Sequence, residues 1–184
     1  MKIKTKELIA ELIENTKTNI NNAEEFRSLS DNDLNYKDST EEWSILECIE
    51  HLNLYGDFYN PAIKESIEKT KTSYSDFFKS GLIGNYFVNM MIPKEKLNKM
   101  KTFKDKNPLG SKLNKSVLDR FINQQKEFLE LIENSKNISF TKTKTPISIS
   151  RFLKLRLGDT FRFVNAHNKR HLLQAKKILK TISS

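Results

Sequence analysis

Helix-breaking residues are scarce in this chain: 5 glycines and 4 prolines are spread over 184 residues, which leaves long stretches free to form helix. Cysteine is scarcer still. The single thiol, Cys48, excludes an internal disulfide framework. No apolar run approaches the ~20 residues needed to span a bilayer, and the richest window, Gly81 to Ile92, is interrupted by Asn85 and Asn89. The first residues, MKIKTKELIAELIENTK, alternate charge with apolar spacing and lack the apolar core of a secretory signal. Together these absences lead to the expectation of a soluble, cytoplasmic protein that makes no membrane contact.

What is present supports a packed interior. Hydrophobic residues make up 37% of the chain, with 12 Phe and 5 Tyr, and a chain of this length can bury a continuous core, so residues 1–184 are expected to form one domain. The formal charge is +9, which raises the question of nucleic acid. The lysines are spread along the whole chain, however, and the densest run, Lys94 to Lys106, contains Glu95 and Asp105 and only Phe103 as an aromatic. A solvated loop accounts for that run as well as a phosphate-binding stripe does, and the balance falls against nucleic acid.

Four segments carry apolar residues at spacings of three and four, the periodicity of an amphipathic helix. The first runs from about Thr5 to Arg27, with Leu8, Ile9, Leu12, Ile13, Thr16, Ile20, Ala23 and Phe26 on its inner side. The second begins after Ser39-Thr40-Glu41-Glu42, where Ser or Thr can cap and acids suit the first turn, and it continues past Pro61 to about Lys69. The third covers about Ser116 to Ser135 and the fourth about Gly158 to Thr181. Four such stripes bury one another, which predicts an all-α four-helix bundle. The connection between the second and third helices, Thr70 to Lys115, is too long to be a bare loop. It is expected to cover one end of the bundle, with Phe77, Phe78, Tyr86, Phe87, Met90 and Met91 docking. Before the last helix, the stretch from Phe140 to Leu155 reads as extended.

The chain has three histidines. His167 and His171 are four apart, so on a helix both rings project from one face, with Cβ atoms about 6 Å apart. At ~100° per residue, Val164, Ala175 and Ile178 fall on the same side, which places the pair at the core-facing edge. The same count puts His51 in an arc with Cys48, Leu52, Tyr55 and Phe58 on the second helix. Burying three imidazoles without partners costs desolvation for each ring, whereas a divalent cation coordinates neutral imidazole nitrogens directly. Core histidines satisfied one by one are the alternative. The His-x-x-x-His spacing also lacks the adjacent glutamate of the zinc-protease pattern.

Around these residues, Gln174 lies three after His171 and is a candidate to orient its ring. Glu47, four before His51, is a candidate to accept that ring's second N–H. Tyr55 and Trp43 read as core and packing residues, Cys48 as an inert buried thiol, and Arg170 as lying off the histidine face.

The pattern Trp43-Ser44-x-x-Glu47-x-x-x-His51-Leu52, followed by His167-x-x-Arg170-His171-x-x-Gln174, resembles the DinB-like superfamily of four-helix bundles. The middle of the chain is similar to that family too, with Lys101-Thr102-Phe103 and Pro108 leading into the third helix, and Pro146 and Leu157-Gly158-Asp159 preceding the fourth. The resemblance implies a metal triad of His51, His167 and His171 holding a divalent ion such as zinc, nickel or iron. It implies further that the chain is a transferase joining a low-molecular-weight thiol (bacillithiol, mycothiol or glutathione) to a small-molecule electrophile through an activated thiolate. Hydrolysis by a metal-held hydroxide and a non-catalytic bundle that binds metal or a small ligand stay open as alternatives. A homodimer is also implied, since members of the family often pair.

Overall fold

The computed structural model describes residues 1–93 and 102–182; residues 94–101 of the basic run, Lys101 among them, lie outside the described residues. In chain order the elements are β1 (Lys2–Lys4), α1 (Thr5–Phe26), α2 (Asp31–Asn35), α3 (Ile45–Lys69), β2 (Phe77–Lys79), α4 (Leu82–Met91), a 3-10 turn (Lys104–Lys106), α5 (Ser116–Asn134), β3 (Lys144–Ile147), β4 (Ser150–Arg156) and α6 (Leu157–Ile182). The four helices read from periodicity correspond to α1, α3, α5 and α6. Helices α1 and α3 each pack against both α5 and α6, the arrangement of a four-helix bundle. Among the described residues, no helix is long and apolar enough to cross a membrane.

Phenylalanine fills the interior. Phe26, Phe78, Phe121, Phe128, Phe140 and Phe161 are fully buried, each contributing about 1.5–3 kcal/mol by transfer from water. The core falls into two apolar clusters, one around Leu12, Phe128 and Phe161 and the other around Phe26, Ile49 and Phe121. A polar layer also crosses the bundle. Asn165 of α6 receives the Thr16 hydroxyl (3.2 Å) and the Asn19 amide (3.3 Å) from α1 and donates to the Leu12 carbonyl (3.1 Å), while Asn168 donates to Gln125 of α5 (3.0 Å). These buried amides therefore have partners, and their pairing holds α6 to one rotation and one register against its neighbours.

Helix α3 starts later than the run of caps at Ser39 and Thr40 predicts. Its N-cap is Ser44, whose hydroxyl accepts the Glu47 backbone N–H while the Glu47 carboxylate accepts the Ser44 N–H. This reciprocal box outcompetes the earlier hydroxyls because it satisfies two otherwise open donors at once. Trp43 is thereby left outside the helix.

The long connection is structured, as its length demands, but not every expected residue docks. Phe78 and Met91 are buried, whereas Phe77 and Tyr86 are 42% and 62% exposed. Phe77 alternates outward because β2 pairs antiparallel with β1, a small sheet that the helical periodicity does not reveal. Helix α4 lies on α6, where Gly84 permits the approach: a Cβ there would sit 2.4 Å from the Asp159 carboxyl. Asp159 is buried and accepts the Gly81 N–H (2.8 Å), the Ser80 hydroxyl and the Arg162 guanidinium (3.2 Å). The extended segment before α6 is a hairpin, β3 against β4, with an irregularity between Pro146 and Ile147.

Candidate metal centre

Helices α3 and α6 run antiparallel, as their ring pairs record. Tyr59 faces Phe163 with centroids 5.7 Å apart, Tyr55 faces His167 at 4.6 Å, and His51 faces His167 at 5.1 Å and His171 at 4.6 Å. Periodicity along each helix aims the rings inward, and the antiparallel packing brings them together. One ring nitrogen from each of His51, His167 and His171 lies within 4.8 Å of the others.

The closest pair is His51 Nε2 and His167 Nε2, 3.2 Å apart. Two nitrogens on one tetrahedral zinc are about 3.3 Å apart, given zinc–nitrogen bonds of about 2.0–2.1 Å. The hydrogen bonds behind the rings decide which nitrogens are bare. His51 Nδ1 is 2.6 Å from the Lys106 carbonyl oxygen, which only accepts, so Nδ1 carries the proton and a neutral ring has an open lone pair at Nε2. His171 Nδ1 lies 3.0 Å from Gln174 Oε1, and the same reasoning leaves its Nε2 bare. The donor set is of the kind that takes a cation: His51 and His171 each offer a bare Nε2, and one nitrogen of each of the three rings lies within 4.8 Å of the others.

Their electrostatics agree with that fit. Burial lowers the His51 pKa to about 4, against which the hydrogen bond to Lys106 acts. Burial, then the neighbouring His51, lowers that of His171 to about 3. His167 is driven well below its ordinary value by burial and then by its two histidine neighbours. All three rings are neutral at pH 7, the form that ligates metals.

Gln174 sits where the sequence spacing puts it. Glu47 does not reach His51. Its carboxylate instead accepts from Ser44 N (2.9 Å), Gly110 N (2.6 Å) and Lys37 Nζ (2.6 Å), so the expected role behind His51 falls to the Lys106 carbonyl. Trp43 does more than anchor a helix start. Freed by the cap at Ser44, its ring lies 4.7 Å from that of His51 and 5.6 Å from that of His171, and its Nε1–H donates to Asn107 Oδ1 (3.1 Å). The Ser44-x-x-Glu47 spacing holds the signal for this placement. Tyr55, read as core, borders the histidines and is only partly buried. Arg170 is 7% exposed, and burial lowers its pKa; rather than lying off the site, it lines the same cavity as the histidines. Cys48 is fully buried in the apolar core and burial pushes its pKa up, as befits an inert thiol.

The cavity has a volume of about 880 Å³ and reaches from the histidines along both helices. The profile of the DinB superfamily matches residues 16–175, which include every histidine, α3 and α5 entire, and most of α6 with the second half of α1. The chain belongs to the DinB superfamily. Neither the curated proteins nor the solved structures give a match to it. Superfamily membership and the three-histidine cluster together point to a metal-binding site.

Proposed function

We propose that this DinB-superfamily chain is a metal-dependent transferase that joins a low-molecular-weight thiol to a small electrophile, with His51, His167 and His171 holding the ion. The observation that carries the reading is the clustering of three histidine rings, one nitrogen of each within 4.8 Å of the others and His51 Nε2 3.2 Å from His167 Nε2, on the wall of a cavity of about 880 Å³. A divalent cation held by three neutral imidazoles keeps its full charge and an open position, and supplies Lewis acidity that lowers the pKa of a thiol or water reaching it. The chain's own residues do the rest. The Lys106 carbonyl and Gln174 fix two of the rings, and Trp43 closes over them. The cavity lies in the upper part of the range for small-molecule sites, about 300–1,000 Å³, with room for two reactants side by side. That room favours transfer between two substrates over simple storage of an ion. The donor set suits zinc, nickel or iron, and affinity order alone does not choose among them.

The test is thiol consumption with a model electrophile, measured with zinc, nickel or iron added back to chelated protein. Metal-dependent turnover that His51→Ala abolishes is expected. Metal binding with no turnover of thiol would leave a binding bundle, and metal-dependent ester cleavage without thiol would favour the hydrolase.

A further inference from the structure

The cavity is not uniform along its length. Because α3 and α6 are antiparallel, side chains on the two helices meet in a fixed order, and the histidines fall in the middle of it. Towards the start of α6 the walls are Tyr59, Phe163, Met90, Met91, Ile147 and Leu155. Five of these six are buried, Met90 being the half-buried one at the rim. Tyr55 stacks parallel to Tyr59 at 6.3 Å, and Phe163 stacks parallel to His167 at 5.8 Å, so the aromatic surface runs without a break up to the histidine rings. Towards the end of α6 the lining becomes more polar, with Gln174, Lys177 and Thr181 beside Ile178 on α6 and Asp38, Glu41 and Glu42 from the segment before α3. This end carries charges of both signs.

We infer that the histidine cluster divides the cavity into two arms, and that the apolar arm between Tyr59 and Phe163 takes a neutral, aromatic-sized molecule as the electrophile while the charged arm receives the polar thiol. The assignment of reactants rests on the transferase reading; the existence of the apolar binding arm does not. A charged or strongly polar molecule in the Tyr59–Phe163 arm would lose its hydration with few groups to replace it, whereas an aromatic ring gains contact on several sides. A thiol derived from an amino acid carries an ammonium and a carboxylate, and the mixed charges of Lys177, Asp38, Glu41 and Glu42 suit both. In the joined reaction, sulfur forms the new bond to the electrophile's carbon, the leaving group departs with the bonding electron pair, and the thiol proton passes to solvent. The two arms place sulfur and carbon on opposite sides of the histidines, so that they meet there.

The experiment uses the full chain, free of metal, and the neutral fluorophore N-phenyl-1-naphthylamine. Saturable one-site binding with enhanced emission is expected. Met90→Glu, which puts a charge at the rim of the arm, and Phe163→Ala, which removes its wall, should each weaken binding about tenfold. Phe152→Ser alters an apolar residue that is 97% exposed and outside the cavity, and should leave binding within about twofold. If Phe163→Ala fails to fold, Met90→Glu decides. Absence of saturable binding, wild-type affinity in a folded Met90→Glu chain, or loss of binding in Phe152→Ser would each overturn the proposal. His51→Ala separates the two readings. It should abolish metal binding and thiol turnover yet keep the fluorophore, whereas fluorophore binding without any thiol turnover in the metal-loaded wild-type chain would sink the transferase reading while the apolar arm stands.

Discussion

The carbonyl oxygen of Lys106 lies 2.6 Å from Nδ1 of His51, across 55 residues of sequence. A backbone atom in the long connection therefore sets the tautomer of a ring on α3. The 3-10 turn that presents it is closed by the Lys106 N–H donating to the Phe103 carbonyl (3.0 Å).

Because the contact is made by backbone, the identity of the side chain at 106 matters less than the turn itself. Lys106→Ala should keep metal affinity within a few-fold, although it loses the Nζ contact to the Leu54 carbonyl. Lys106→Pro removes the N–H that closes the turn, and should weaken metal binding about 10- to 100-fold, as loss of a hydrogen bond behind a ligand does. Titration with cobalt, read by its visible absorption, measures both. Equal affinities in the two variants would show that the carbonyl does not orient His51.

Gln174 does the corresponding work for His171 through a side chain. Gln174→Ala should cost about tenfold in cobalt affinity, while Gln174→Glu, which keeps an acceptor at the same place, should restore most of it. A Glu variant as weak as the Ala variant would argue that Gln174 serves only to pack the rim.

The buried histidines also give the metal-free chain a pH dependence of definite sign. Each has a folded pKa below 6.5: about 4 for His51, about 3 for His171, and well below the ordinary value for His167. Between pH 6.5 and about 4 the unfolded chain binds protons that the folded chain refuses, so stability is full above pH 6.5 and falls as the pH drops through that window. The fall for His51 alone is on the order of 2–3 kcal/mol. Urea midpoints measured from pH 7 to pH 4 should decline, and His51→Ala should flatten the decline. Unchanged midpoints across the window would mean that the rings are open to water.

Much of this arrangement is legible in the residues. The spacing of His167 and His171, and the arc shared by His51, Cys48 and Leu52, are properties of one helix each, which periodicity captures. The four bundle helices follow for the same reason. What escapes is whatever depends on two distant segments. Glu47 has the right spacing to serve His51, but the Ser44 cap and the Gly110 N–H take its oxygens. The Lys106 carbonyl has no side-chain signature at all. Trp43 and Arg170 are misread because a helical wheel says nothing of a residue before the cap, nor of a cavity whose second wall comes from another helix. The β1–β2 pair is missed because three residues are too few to set a period.

The seat of α4 makes a prediction in which two effects oppose each other. Glycine to alanine inside a helix is worth about 1 kcal/mol by propensity, yet at Gly84 the new methyl would lie 2.4 Å from an Asp159 side chain held by three partners. Overpacking of this kind costs about 1–3 kcal/mol. Gly84→Ala should therefore lower the melting temperature. Gly56→Ala meets the far end of the Gln124 side chain, which can swing aside at the cost of its bonds to the Asn53 carbonyl and Asp57, and should be the better tolerated of the two. The reverse order would show that α4 shifts freely on α6.

Cys48 provides the last test, and one on which any thiol assay depends. Its sulfur is fully buried among Ile45, Ile49 and Leu52 at the start of α3, and burial raises its pKa, so the thiolate that reacts with disulfide reagents is not populated in the folded chain. The native protein should show no reaction with an aromatic disulfide reagent over hours, and one full equivalent once urea unfolds it. Cys48→Ala should retain metal binding and thiol turnover, at a stability cost of about 1 kcal/mol for the lost packing. Rapid labelling of the native chain would reveal opening of α3 near His51, and would identify the protein's own cysteine as a competing nucleophile in the assay.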